Sequence, residues 1–128
     1  MTTRKDVEIL SLYTRSQAIE DGFLVDVSDM AREAGFKWPV AVTRRVWDEI
    51  VTPDPRAVPW GQSEQGRLWD VLYMARIAVR GSTGMVVHYR LSVILKERQR
   101  RTVTLKVVIG GEAPDGGPRV TIMMPDED

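Results

Sequence analysis

The carboxylates Glu20, Asp21, Asp26, Asp29 and Glu33 fall close together near the start of the chain. Paired carboxylates are the groups that carry acid–base catalysis or hold Mg²⁺. The same spacing also suits helix ends. Asp21 stands where Gly22 ends a first helix. Asp29 falls in the first turn of the next helix, where negative charge meets the helix dipole, and Glu33 is one turn further on. That leaves Asp26, inside the apolar run FLVDV, as the acid with no capping role and the natural centre of a carboxylate-based site.

The single histidine, His88, alternates with Arg90 and Ser92 on the polar side of a strand. It is either a general base that could work with Asp26 or a solvated strand residue. One imidazole excludes sites that need two, and the absence of cysteine excludes disulfides, thiolate ligands and a cysteine nucleophile. GGEAPDGG has no Walker lysine and no following helix, so it reads as a flexible turn rather than a phosphate cradle. No GxSxG, SxxK or DFG pattern is present. The expectation is a non-enzyme, with no catalytic residues, no cofactor and no metal. An enzyme built on Asp26 and His88 stays as an alternative.

Basic residues give a stronger binding signal. Residues 81–109 carry Arg90, Lys96, Arg98, Arg100, Arg101 and Lys106 against the acid Glu97, whereas residues 110–128 carry five acids against Arg119. Arg98, Arg100 and Arg101 at a hairpin tip, with Arg90, Thr104 and Lys106 on the adjoining polar sheet face, could lie along phosphates. They could equally protect a hairpin and an edge strand from aggregation. The face lacks the aromatic side chains that stack bases. Of the four tryptophans, Trp47 and Trp69 have helical neighbours that suit burial. Trp38, before Pro39, and Trp60, in the proline-rich loop TPDPRAVPWGQ, are candidate anchors for a protein partner, or lids over core edges.

The elements that must position these groups follow from caps and periodicity. Thr14 can cap a short helix that Asp21 and Gly22 end, after which Phe23–Val27 is extended. Ser28 is the next N-cap, and Gly35 stops that helix. PVAV is a short strand or extended link, because Pro39 forbids helix there. Thr43 caps a third helix, TRRVWDEIV. Ser63 opens the longest one, through about Arg80, with Leu68, Val71, Leu72, Ala75, Ala78 and Val79 on one stripe. Trp69, Tyr73, Met74 and Ile77 lie off that stripe, as expected of a helix sandwiched between two layers.

Beyond Gly84 the period changes to two: Val87, Tyr89, Leu91, Val93 and Leu95, then Val103, Leu105, Val107 and Ile109, then Val120, Ile122 and Met124. The expected fold class is α+β, with short N-terminal helices and one long central helix packed on a C-terminal three-stranded antiparallel β-meander. Its expected organisation is a single domain over 1–128: an N-terminal segment 1–13, a mainly helical half 14–80, the meander 84–124 and an acidic, frayed tail 125–128.

Bulk composition agrees with one folded domain: 128 residues, 43% hydrophobic, 28% charged and a formal net charge of zero. Neither the strong basicity of a general phosphate binder nor the acidity of a nucleic-acid mimic is present. The apolar core of a signal peptide is missing from MTTRKDVEIL, and no run approaches membrane-spanning length, so a cytoplasmic location is expected.

Taken in order, YTRSQAIEDGFLVDVS, AREAGFKWPVAVTRRVW, QGRLWDVLYMARIAVR and VTLKVVIGGEAPDGGPRVTIMMPDED form a recognisable series. The chain resembles an uncharacterised family of small proteins found in phages, prophages and plasmids. That resemblance implies a setting, a mobile element, rather than a chemistry. Its accessory proteins often bind and block host defence complexes, of anti-CRISPR or anti-restriction type. The expected function is therefore protein–protein binding by a mobile-element accessory factor, with Trp38, Trp60, Arg90, Arg98, Arg100, Arg101 and Lys106 as candidate contact residues. The partner is a protein, with nucleic acid as the alternative through the basic hairpin and no membrane. Exposed sheet edges leave an edge-strand dimer open.

Overall fold

The computed structural model describes residues 15–94, 99–110 and 118–127. Thr14, the expected cap of the first helix, and Arg98, at the hairpin tip, lie outside the described residues. Strands Leu24–Asp26 (β1), Val40–Thr43 (β2), Val86–Ile94 (β3), Arg100–Gly110 (β4) and Arg119–Met123 (β5) form one five-stranded sheet of order β1-β2-β5-β4-β3. β2 runs parallel to β5, and the other neighbours are antiparallel. The architecture is α+β, but the expected three-stranded meander is corrected to a mixed sheet that the N-terminal half completes.

The reason lies in β2. VAVT is buried at every position, so it shows none of the period-two alternation that marks a half-buried strand. Its parallel partner, β5, lies some 80 residues away in the chain. β3 and β4, by contrast, alternate as expected, with Tyr89, Leu91, Val93, Val103, Leu105 and Val107 buried on one side.

Several helical segments cover that side. They are Ser28–Glu33 (α1), Arg44–Val46 (α2) and Glu64–Arg80 (α3); residues 15–20 are also helical, and Arg15 reaches Thr121 on the other side of the sheet. α2 is capped by Thr43, whose Oγ1 accepts from the Val46 amide at 3.2 Å, and it continues as a π-helical turn, Trp47–Val51. A 3₁₀ segment, Pro55–Trp60, leads to α3. Ser63 caps α3 by accepting from the Gly66 amide at 3.0 Å. Leu68, Val71, Leu72 and Ala75 of α3 meet Val42, Leu105, Val107 and Ile122 in one core. The Tyr89 hydroxyl donates to the Val71 carbonyl at 3.0 Å and ties α3 to β3.

Two local expectations are corrected. Ser28 does not cap α1. Its Oγ donates to the Asp26 carboxylate at 2.6 Å and accepts from the Val40 amide at 3.0 Å. Asp26 also accepts from the Ser28 amide at 3.0 Å, the i to i+2 turn typical of an aspartate. Asp26 therefore has the structural role that the sequence did not reveal. The second correction concerns α3, which is covered on one side and open on the other, not sandwiched.

Candidate functional site

The open side of α3 carries the most conspicuous apolar surface. Trp69, Tyr73 and Ile77 succeed one another at intervals of four residues, 37%, 48% and 49% exposed. Met74 flanks them, also exposed. At 1.5 Å per residue the ridge is about 12 Å long. The Trp69 and Tyr73 rings stack with centroids 5.9 Å apart and planes inclined by 20°. This stack stiffens the aromatic pair in a defined orientation. Asp70 borders the ridge, and its partial burial pushes its carboxyl pKa up. Helical neighbours made Trp69 look like a core residue; the structure places it on this outer ridge.

The other two anchors lie elsewhere. Trp38 is partly exposed and lines a cleft of about 240 Å³ with Phe36, Val79, Ile109, Val120 and the stem of Arg76. Arg76 Nε donates to the Gly35 carbonyl at 3.0 Å, joining α3 to the turn after α1. Gly35 takes φ of +108°, where a side chain would be strained and would press on Arg76. Trp60 ends the 3₁₀ segment and is partly exposed, and Gly61, with φ of +85°, turns the chain toward α3. Trp47 is half-buried against the core.

The second candidate surface is the sheet face turned away from the helices. Cross-strand pairs His88–Lys106, Arg90–Thr104, Ser92–Thr102 and Ile94–Arg100 place Arg90, Arg100 and Lys106 on this face. Arg101 pairs with the inward-facing Val93, so it belongs to the opposite side although it is exposed. Lys106 is already engaged: its Nζ donates to the carbonyls of Pro125, at 3.2 Å, and Glu127.

These bonds belong to a docked tail. The Asp126 carboxylate accepts from Arg45 Nη1 with both oxygens at 2.8 Å, and Glu127 accepts from Thr43 Oγ1 and from the Met124 amide, each at 2.8 Å. Residues 125–127 are thus tied to β2, α2 and β4 rather than frayed. Asp128 lies outside the described residues. Arg45 holds the Asp126 carboxyl below the usual carboxylate range.

The proposed acid–base pair is not assembled. Asp26 is on edge strand β1 and His88 on the opposite edge strand, β3. Four strand spacings separate them by about 19 Å. Among the described residues no helix is long and apolar enough to cross a membrane.

Residues 2–128 match the model of a family of unknown function, DUF6573, and the chain belongs to that family. Comparison with curated proteins and comparison with solved structures each return no match.

Proposed function

We propose that this family member is a non-enzymatic accessory protein of a mobile element that acts by holding a protein partner against the outer face of α3. Blocking a host defence complex is the form of action this reading favours. The observation that supports it is the half-exposed ridge Trp69–Tyr73–Ile77, with its two aromatic rings stacked, on a helix whose other side is committed to the core. Large aromatic side chains in a fixed orientation lose little entropy on binding and dominate interface energetics. Contiguous apolar surface of this kind marks interaction sites more often than incidental exposure. A complementary partner presents an apolar groove that accepts the Trp69–Tyr73 pair.

Affinity purification of the tagged chain from its source cells tests the reading. The wild-type chain is expected to recover a partner stoichiometrically, and a Tyr73→Lys/Ile77→Lys variant that still folds to recover at least about tenfold less, since losing one hot spot of about 2 kcal/mol weakens binding about 30-fold. A partner held equally by the variant contradicts the assignment to α3.

A second reading, contact with nucleic-acid phosphates, is favoured by Arg90 and Arg100 sharing the exposed sheet face. It predicts a gel shift that weakens steeply with salt and is lost in Arg90→Glu/Arg100→Glu.

A further inference from the structure

β1 and β3 are the two edges of the sheet, and they differ in how they are protected. β1 is three residues long, too short to pair with another chain over any distance. β3 spans nine residues and contains no proline. Its register with β4 is constant from Val86–Val108 to Ile94–Arg100, so no bulge interrupts it.

The Ile109 amide donates to the Met85 carbonyl at 2.8 Å. Hydrogen-bonded pairs alternate along an antiparallel ladder, so Val87, Tyr89, Leu91 and Val93 direct their main-chain groups to β4. Those of Val86, His88, Arg90, Ser92 and Ile94 point outward. Arg67 agrees with that phase: its Nη2 donates to the Ile94 carbonyl and closes that end of the edge. From Val86 to Ser92, about 20 Å, no outward group has a main-chain partner among the described residues. Val86, His88, Arg90 and Ser92 are all exposed.

Charge decides what fits. β3 holds one arginine, one histidine and no acid. A second copy of β3 would bring the same Arg90 to the same edge, whereas carboxylates opposite Arg90 and His88 would pair with them.

We propose that the edge of β3 between Val86 and Ser92 takes up an extended acidic segment of a partner protein as a sixth strand. Main-chain bonds hold the segment, and carboxylates two residues apart, opposite Arg90 and His88, select it. Its intervening apolar side chains continue the row Val87, Tyr89 and Leu91. Any replacement of Arg90 removes the selecting charge, and binding with it. The edge is separate from the α3 ridge and stands or falls independently of it.

Amide hydrogen exchange of the full chain, read by NMR, tests the proposal with two capped synthetic peptides, TVEVEVT and TVKVKVT. In the free chain the amides of Val86, His88, Arg90 and Ser92 should exchange fast, and those of Val87, Tyr89 and Leu91 slowly. At about ten times its dissociation constant, TVEVEVT is expected to slow the first set about tenfold, and TVKVKVT to leave it unchanged. His88→Pro deletes an outward N–H and no bond to β4, and should abolish the slowing at Arg90 and Ser92. If that variant does not fold, Arg90→Glu decides: it should lose the response to TVEVEVT. Outward amides as slow as that of Tyr89 in the free chain, no slowing by TVEVEVT, equal slowing by both peptides, or slowing that persists in either variant overturns the proposal. So does slowing that grows with the chain's own concentration, the mark of a second copy, or slowing by a single-stranded DNA oligonucleotide with none by TVEVEVT.

Discussion

Ser28→Ala removes the hydroxyl that joins three elements: the turn after β1, the start of α1 and the first residue of β2. Val40 is fully buried, and its amide donates to Ser28 Oγ at 3.0 Å. Without the hydroxyl that amide is left without this partner, at a cost of about 1–3 kcal/mol. The Ser28–Asp26 bond is also lost, but Asp26 is exposed and water can replace it, so it adds little. A total of about 2 kcal/mol lowers the melting midpoint by about 8 °C in a domain of this size. Asp26→Asn keeps a side-chain oxygen for the Ser28 amide and should cost about 1 kcal/mol or less. Ser28→Thr, which keeps the hydroxyl, should recover most of the stability. Chemical denaturation of the three variants at one pH gives the comparison. A Ser28→Ala protein as stable as wild type, or an Asp26→Asn protein less stable than Ser28→Ala, would refute this account of the segment.

Three further outcomes are expected. Leu72→Ala, in the core face of α3, should cost about 2–5 kcal/mol, whereas Ile77→Lys on the outer face should cost about 1 kcal/mol or less, because a lysine stem replaces part of the aliphatic contact; urea denaturation separates them. Burial raises the folded-state pKa of Asp70 above its unfolded value, so its contribution to stability is full below the unfolded pKa and lost as pH rises through the folded one. Asp70→Asn should therefore be at least as stable as wild type at pH 7, with a flatter stability profile between pH 3 and 6, read by melts across that range. Asp126 has the opposite sign: its pKa is lowered by Arg45, so tail docking holds at neutral pH and is lost as pH falls through the folded-state pKa. NMR signals of residues 125–127 should shift on acidification in wild type and resemble the acid form at neutral pH in Asp126→Asn.

What sequence could show depended on how local each cause was. The α3 cap, the positive-φ stop at Gly22 and the alternation of β3 and β4 each arise within a few residues, and each is present. β2 was ambiguous because both its faces are covered, and its pairing with β5 is a long-range event with no local signature. Ser28 is two residues after an aspartate, so either side chain suited the helix start; only the position of Val40 decides which does what. Periodicity along α3 identified which residues are apolar, but not that a second layer is missing above Trp69 and Tyr73. Alternation correctly put Lys106 on the open face; the tail that occupies its ammonium comes from the far end of the chain. Arg119 entered the sequence reading as one charge in an acidic segment. Its place on β5, the central strand of the sheet, is set by long-range pairing.

The central claim is that α3 presents the partner-binding face, and site-specific photo-crosslinking tests it most directly. A photoreactive amino acid is placed at position 73, and in a second protein at position 90 on the open sheet face, with both expressed in the source cells. A discrete protein adduct from position 73, weakened by Ile77→Lys in the same chain and not formed from position 90, is the predicted result. A discrete adduct from position 90 with none from position 73 would contradict it.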